Sequence, residues 1–92
     1  MKVEINELVS HTEVHGEIVL ANIKTGLYFS IGGSGKHIWE ALVKGDEVEN
    51  IINALAARYQ VDEHTVSKDV YEFLEHLEHQ KVIQRVDDKN AT

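Results

Sequence analysis

The chain reads as an α+β fold in which a three-stranded antiparallel sheet is followed by three helices. Three observations predict this. The first third is rich in β-branched residues at alternating positions and is punctuated by glycine-bearing turns. The cluster Gly32-Gly33-Ser34-Gly35 then marks a change of period. Beyond it, apolar residues recur at helical spacing as far as Leu77.

The first strand is expected over Val3 to Val9, with Val3, Ile5 and, after a slip, Leu8 on its apolar face. Val14-His15-Gly16 is a turn into a second strand over Glu17 to Ile23. Lys24-Thr25-Gly26 is a hairpin turn into a third, Leu27 to Ile31. In that third strand Leu27, Phe29 and Ile31 share one face, while Tyr28 and Ser30 take the other. A meander leaves this strand at an edge. It carries neither the charge nor the proline that usually protects an edge from pairing with another chain, so it reads as a docking surface.

Ser34 is a candidate N-cap for the first helix, whose Ile38, Trp39 and Leu42 form an apolar stripe ending at Gly45. Asp46 and Glu49 have the form of a capping box for a second helix, with Val48, Ile51, Ile52, Leu55 and Tyr59 on one face. Asp62 is positioned to cap a third, with Val66, Val70, Phe73, Leu74 and Leu77 inward. Val82, Ile83 and Val86 prolong the apolar content. One domain is expected over residues 1–86, with a polar, fraying tail over 87–92.

Ninety-two residues suffice for one modest core. Without cysteine, disulfides, thiolate nucleophiles and cysteine metal sites are excluded. A formal net charge of -7 opposes a phosphate backbone, so no nucleic-acid partner is expected. No apolar run is long enough to span a membrane, and the acidic N-terminal stretch lacks the apolar core of a signal peptide, which predicts a cytoplasmic protein.

Gly32-Gly-Ser-Gly-Lys36 fails as a phosphate loop, because Ser30 and His37 stand where glycine and a hydroxyl residue are needed. His76 and His79 have a ligand-like spacing beside Glu72, Glu75 and Glu78, but no third ligand is recognisable, and a solvated polar face explains them. The Ser and Thr residues show no nucleophile context. No enzyme, metal or cofactor is therefore expected. Trp39 reads as a core anchor. Tyr28 is open to either partner contact or simple exposure. Val66, Asp69 and Phe73 make a flank of the third helix that can line a groove against the third strand, the geometry of peptide recognition by strand addition.

The residues TG-LYFSI, IWEAL, I-ALAARYQVD and V-DV-FL-HL ahead of the final apolar pair resemble the pyrroloquinoline-quinone synthesis protein D family, from about Glu17 to Val86. This family comprises the precursor-peptide recognition elements of ribosomally made, modified peptides. The resemblance implies a winged helix-turn-helix-like fold that binds a leader peptide between the third strand and third helix. By position, the peptide-binding residues implied are Leu27, Tyr28, Phe29, Ser30, Ile31, Val66, Asp69, Val70 and Phe73. The aromatic strand and the IW pair look most like standalone leader-binding proteins of lasso peptide clusters. That implies a leader peptidase as enzyme partner, the alternative being a chaperone for a radical SAM or other peptide-modifying enzyme. A DNA-binding winged helix is the less favoured rival. The chain departs from the family pattern at Ile31 and Gly32, where leucine and asparagine are usual, and at Lys81, where a glycine is usual.

Overall fold

The computed structural model of the chain describes residues 1–86, so the expected tail over 87–92 lies outside the described residues. In chain order the elements are β1 (Lys2–Ile5), β2 (Val9–Val14), β3 (Glu17–Asn22), β4 (Tyr28–Ile31), α1 (Ser34–Lys44), α2 (Val48–Tyr59), α3 (Glu63–His79) and β5 (Ile83–Val86). The antiparallel sheet β2-β3-β4 and the three helices form the expected winged-helix-like arrangement.

The expected first strand over Val3 to Val9 is in fact parts of two. Residues 2–5 pair antiparallel with β5, in the register Lys2↔Val86 to Ile5↔Ile83, and the meander begins only at Val9. The slip at Leu8 is a break: Asn6 Oδ1 accepts from the Leu8 N–H at 2.9 Å, an Asx turn that redirects the chain. The apolar content after α3 is thus a strand, and Asn6 Nδ2 donates to the Lys81 carbonyl at 2.9 Å, tying the two strands together at one end of this ribbon.

β2 and β3 meet through His15-Gly16, both at positive φ (52° and 82°), as a two-residue hairpin turn requires. The longer β3–β4 connection is organised by half-buried to buried Asn22, whose Oδ1 accepts from the N–H groups of Lys24 (2.9 Å) and Thr25 (3.2 Å).

Two caps differ from expectation. Gly33, not Ser34, occupies the N-cap of α1, at φ 57°, and Ser34 is the first helical residue. The Asp46–Glu49 capping box does not form. The N-cap of α2 is Glu47 without a side-chain bond, and tertiary partners replace the box: the Val48 N–H donates to the Met1 carbonyl at 2.8 Å, and Glu49 pairs with the Met1 ammonium. Asp62 caps α3 as expected, accepting from the Thr65 N–H at 3.1 Å.

The buried side chains form one cluster. Trp39 lies at its centre, 1% exposed, edge-on to His11 of β2 at 5.6 Å. Ile18, Leu20 and Ile31 supply the sheet's inner face; Val48, Ile51, Ile52 and Leu55 supply α2; Val66, Val70, Leu74 and Leu77 supply α3. Tyr59, expected on the inner face of α2, is half exposed. At about 25 cal/mol per Å² of apolar surface removed from water, such a cluster is the main stabilising term of a domain without disulfides. No helix among the described residues is long and apolar enough to cross a membrane.

Candidate functional site

Alternate residues of an antiparallel strand direct both backbone polar groups to the same side. The Asn22 N–H donates to the Leu27 carbonyl at 2.9 Å, so Leu27 faces β3, and by alternation so do Phe29 and Ile31. Tyr28 and Ser30 must therefore turn their N–H and C=O groups to the opposite edge. The other ladder agrees: the Ile23 N–H bonds the Leu8 carbonyl, which directs Ala21 and Val19 to β2 and leaves Leu20 and Ile18 for β4. Among the described residues no strand pairs with that edge of β4.

The side chains alternate between faces independently of this. Phe29 is half-buried and Ile31 buried on the inner face, toward α3, while Tyr28 (75% exposed) and Ser30 point to the outer face. Leu27 was expected inside with Phe29 and Ile31. It is 63% exposed, because it precedes β4 in the loop closed by Asn22, where the pleat no longer aims its side chain at the core.

Two contacts place α3 beside β4 and the start of α1. The Phe29 ring stands edge-on to His76, centroids 5.8 Å apart. One turn earlier Phe73 lies over Gly35 and beside Ile31: a Cβ on Gly35 would sit 3.2 Å from Phe73 Cε1 and 3.8 Å from Ile31 Cβ. Gly35 thus lets the start of α1 approach the ring. Further toward the N-terminus of α3, Val66, Asp69 and Val70 line an apolar cavity of about 440 Å³ with Ile38, Leu55 and Tyr59. A more polar depression of about 550 Å³ lies apart from it, along the β1–β5 ribbon beside Glu4, Glu7 and Lys81.

Phe29 thus meets His76, Phe73 and Ile31 flank Gly35, Val66, Asp69 and Val70 line the cavity with Gly33 and Ser34, and Tyr28 and Ser30 turn their backbone polar groups to the open edge. Leu27 stands outside the cleft wall. Sequence reasoning left out Gly35, Tyr59 and His76. His76 falls on the helical row of Val66, Asp69 and Phe73 extended by one step, so the signal was present; its acidic neighbours drew it to the solvated face instead. Among the described residues no group of three or more His, Asp or Glu side chains is placed to hold a metal ion.

Comparison with known proteins points the same way. A family model, Coenzyme PQQ synthesis protein D (PqqD), matches residues 17–83. The structure of TbiB1 in complex with the TbiA(beta) leader peptide is similar at 33% identity and a TM-score of 0.85, covering 95% of this chain and 99% of TbiB1. Lasso peptide synthetase B1, complexed with the leader peptide, shares the fold at a TM-score of 0.86 and 15% identity, over 92% of this chain and 100% of that one. Comparison with curated proteins gives no match.

Proposed function

This chain belongs to the coenzyme PQQ synthesis protein D (PqqD) family, whose recognition elements are non-catalytic leader-binding modules, and on that premise we propose that it captures the leader of a ribosomally made precursor peptide as a strand added to β4. The observation that carries this is the uncharged edge of β4, unpaired among the described residues, on the strand whose Phe29 meets His76 of α3. A guest strand exchanges hydrogen bonds with the two N–H and two C=O groups of Tyr28 and Ser30. Its alternate side chains fall toward α3, onto Phe29 and Phe73 and into the cavity at Val66, Asp69 and Val70. Leu27, Phe29 and Ile31 hold the edge strand in place through their bonds to β3.

Four backbone bonds at about 1 kcal/mol net each and two apolar anchors at about 2 kcal/mol each give about 8 kcal/mol before ordering costs. Binding is then micromolar at best unless further contacts help, so the side-chain pockets choose the leader. The protein acts in the cytoplasm, where precursors are made, and passes the leader to a processing enzyme. The likeness to TbiB1, solved with a leader peptide, supports leader binding; the aromatic strand and the Ile38-Trp39 pair favour a lasso-type leader peptidase as partner, and the name of the matching family keeps a chaperone for another peptide-modifying enzyme as the second reading. The net charge of -7 opposes DNA binding.

Isothermal titration with leaders of lasso and quinone-cofactor precursors, the TbiA(beta) leader among them, tests this. Wild-type protein is expected to bind at least one. Ser30→Pro, which removes an N–H from the open edge and leaves the β3 ladder intact, is expected to weaken that binding at least tenfold while the far-ultraviolet spectrum is kept. Equal affinity in both proteins, or no binding by any leader, would overturn strand capture.

A further inference from the structure

Asp69 is the single charged residue lining the cavity beside α3; every other lining side chain is apolar, glycine, Ser34 or Tyr59. It is exposed, and its side chain makes no ion pair or hydrogen bond with the described residues. No lysine or arginine among those residues lines the cavity to neutralise it. Lys36, on the adjoining helix, is committed to Glu13 at 2.7 Å, and Arg58 lies over the ring of Tyr59, its guanidinium carbon 5.9 Å from the centroid. The strand edge opposite, Tyr28 to Ile31, is uncharged.

We propose that the cavity selects leaders in which a lysine or arginine stands next to the apolar residue that fills it, the cation meeting Asp69. This rests on the strand-capture reading and adds the chemical class of the segment captured. An apolar side chain alone occupies Ile38, Leu55, Val66 and Val70 but leaves the Asp69 carboxylate at the mouth facing an apolar guest, partly stripped of water. A cation there keeps the carboxylate solvated by charge and spans the rim with its own apolar stem. The overall negative charge of the protein acts in the same direction, drawing a cationic segment toward the cleft. An acidic leader residue at that place meets a like charge and is rejected.

Panning a phage-displayed random dodecamer library against wild type, Asp69→Lys and Ser30→Pro tests the two readings separately. Wild type is expected to enrich lysine or arginine beside a bulky apolar residue, and Asp69→Lys to enrich aspartate or glutamate there. Synthesised, the best wild-type peptide is expected to lose about fivefold in affinity on Asp69→Asn, and to weaken more steeply with added salt when Asp69 is present than in Asp69→Asn. Peptides that fail on Ser30→Pro yet show the same charge preference with wild type and Asp69→Lys would overturn the charge selection and leave strand capture standing. Peptides that bind Ser30→Pro as well as wild type, or no enrichment by wild type at all, would overturn both.

Discussion

Phe29 of β4 and His76 of α3 meet edge to face, with ring centroids 5.8 Å apart and planes inclined by 75°. Because His76 is exposed and Phe29 half-buried, the two halves separate binding from stability. His76→Ala is expected to change the unfolding free energy by less than about 0.5 kcal/mol and to weaken leader binding severalfold. Phe29→Ala is expected to cost about 2 to 3 kcal/mol of stability as well, through the void left on the sheet's inner face. Urea unfolding beside calorimetric titration reads both quantities; an unchanged affinity for His76→Ala removes the ring from the site.

Gly35 gives a test of the cleft wall from the opposite side. A methyl group there presses on the half-buried Phe73 ring at 3.2 Å, which must give by a few tenths of an ångström. Gly35→Ala should gain up to about 1 kcal/mol of helix propensity and spend part of it on moving the ring. The expected result is near-unchanged thermal stability with reduced leader affinity. A full wild-type affinity would mean that the position of Phe73 is not read by the leader.

Lys81 holds the left-handed conformation that glycine adopts most readily, at φ 61°. Its N–H donates to the Glu78 carbonyl at 2.9 Å and its carbonyl accepts from Asn6, so the backbone ends α3 and starts β5 despite the side chain. Left-handed backbone costs an L-residue about 1 kcal/mol. Lys81→Gly should therefore raise stability by a few tenths to about 1 kcal/mol, after the extra freedom of glycine in the unfolded chain is deducted. Lys81→Val should lower it. Denaturant midpoints of the two variants on either side of wild type are the expected outcome.

Acid should weaken the start of α2. The bond from the Met1 ammonium holds the Glu49 carboxyl below its ordinary value, so its contribution is complete above the unfolded-state value and fades as pH falls through the lowered one. The group is more than half exposed, and the effect is correspondingly small. In Glu49→Gln the loss of stability between neutral pH and pH about 3 should be shallower than in wild type, as followed by thermal melting across that range. Parallel curves would show that the pair contributes nothing.

Helical periodicity made the interior of the fold legible. Trp39, the inward residues of α2 from Val48 to Leu55 and the buried row of α3 fall where spacing puts them, since each is decided within a few turns of its own helix; Tyr59, at the end of α2, does not. What escaped depends on distant chain. The pairing of β1 with β5 joins segments nearly the whole length of the sequence apart, and nothing local in Val3 to Val9 separates it from one continuous strand with a slip. Likewise the Asp46–Glu49 pattern is a sound local cap, displaced by Met1 arriving from the other end of the chain. The alternation of Phe29 and Ile31 with Tyr28 and Ser30, and the helical row of Val66, Asp69 and Phe73, were legible from period alone. The outward turn of Leu27 was not, because it follows from how Asn22 closes the loop.

The ribbon of β1 and β5 sets Lys2 opposite Val86, so the polypeptide enters and leaves this fold side by side. A unit with adjoining entry and exit can be spliced into a surface loop of an unrelated catalyst without prising that loop apart. The open edge of β4 belongs to a different sheet from the ribbon, so such a graft would leave it uncovered by the splice itself and give the host a handle for substrates it could not otherwise hold.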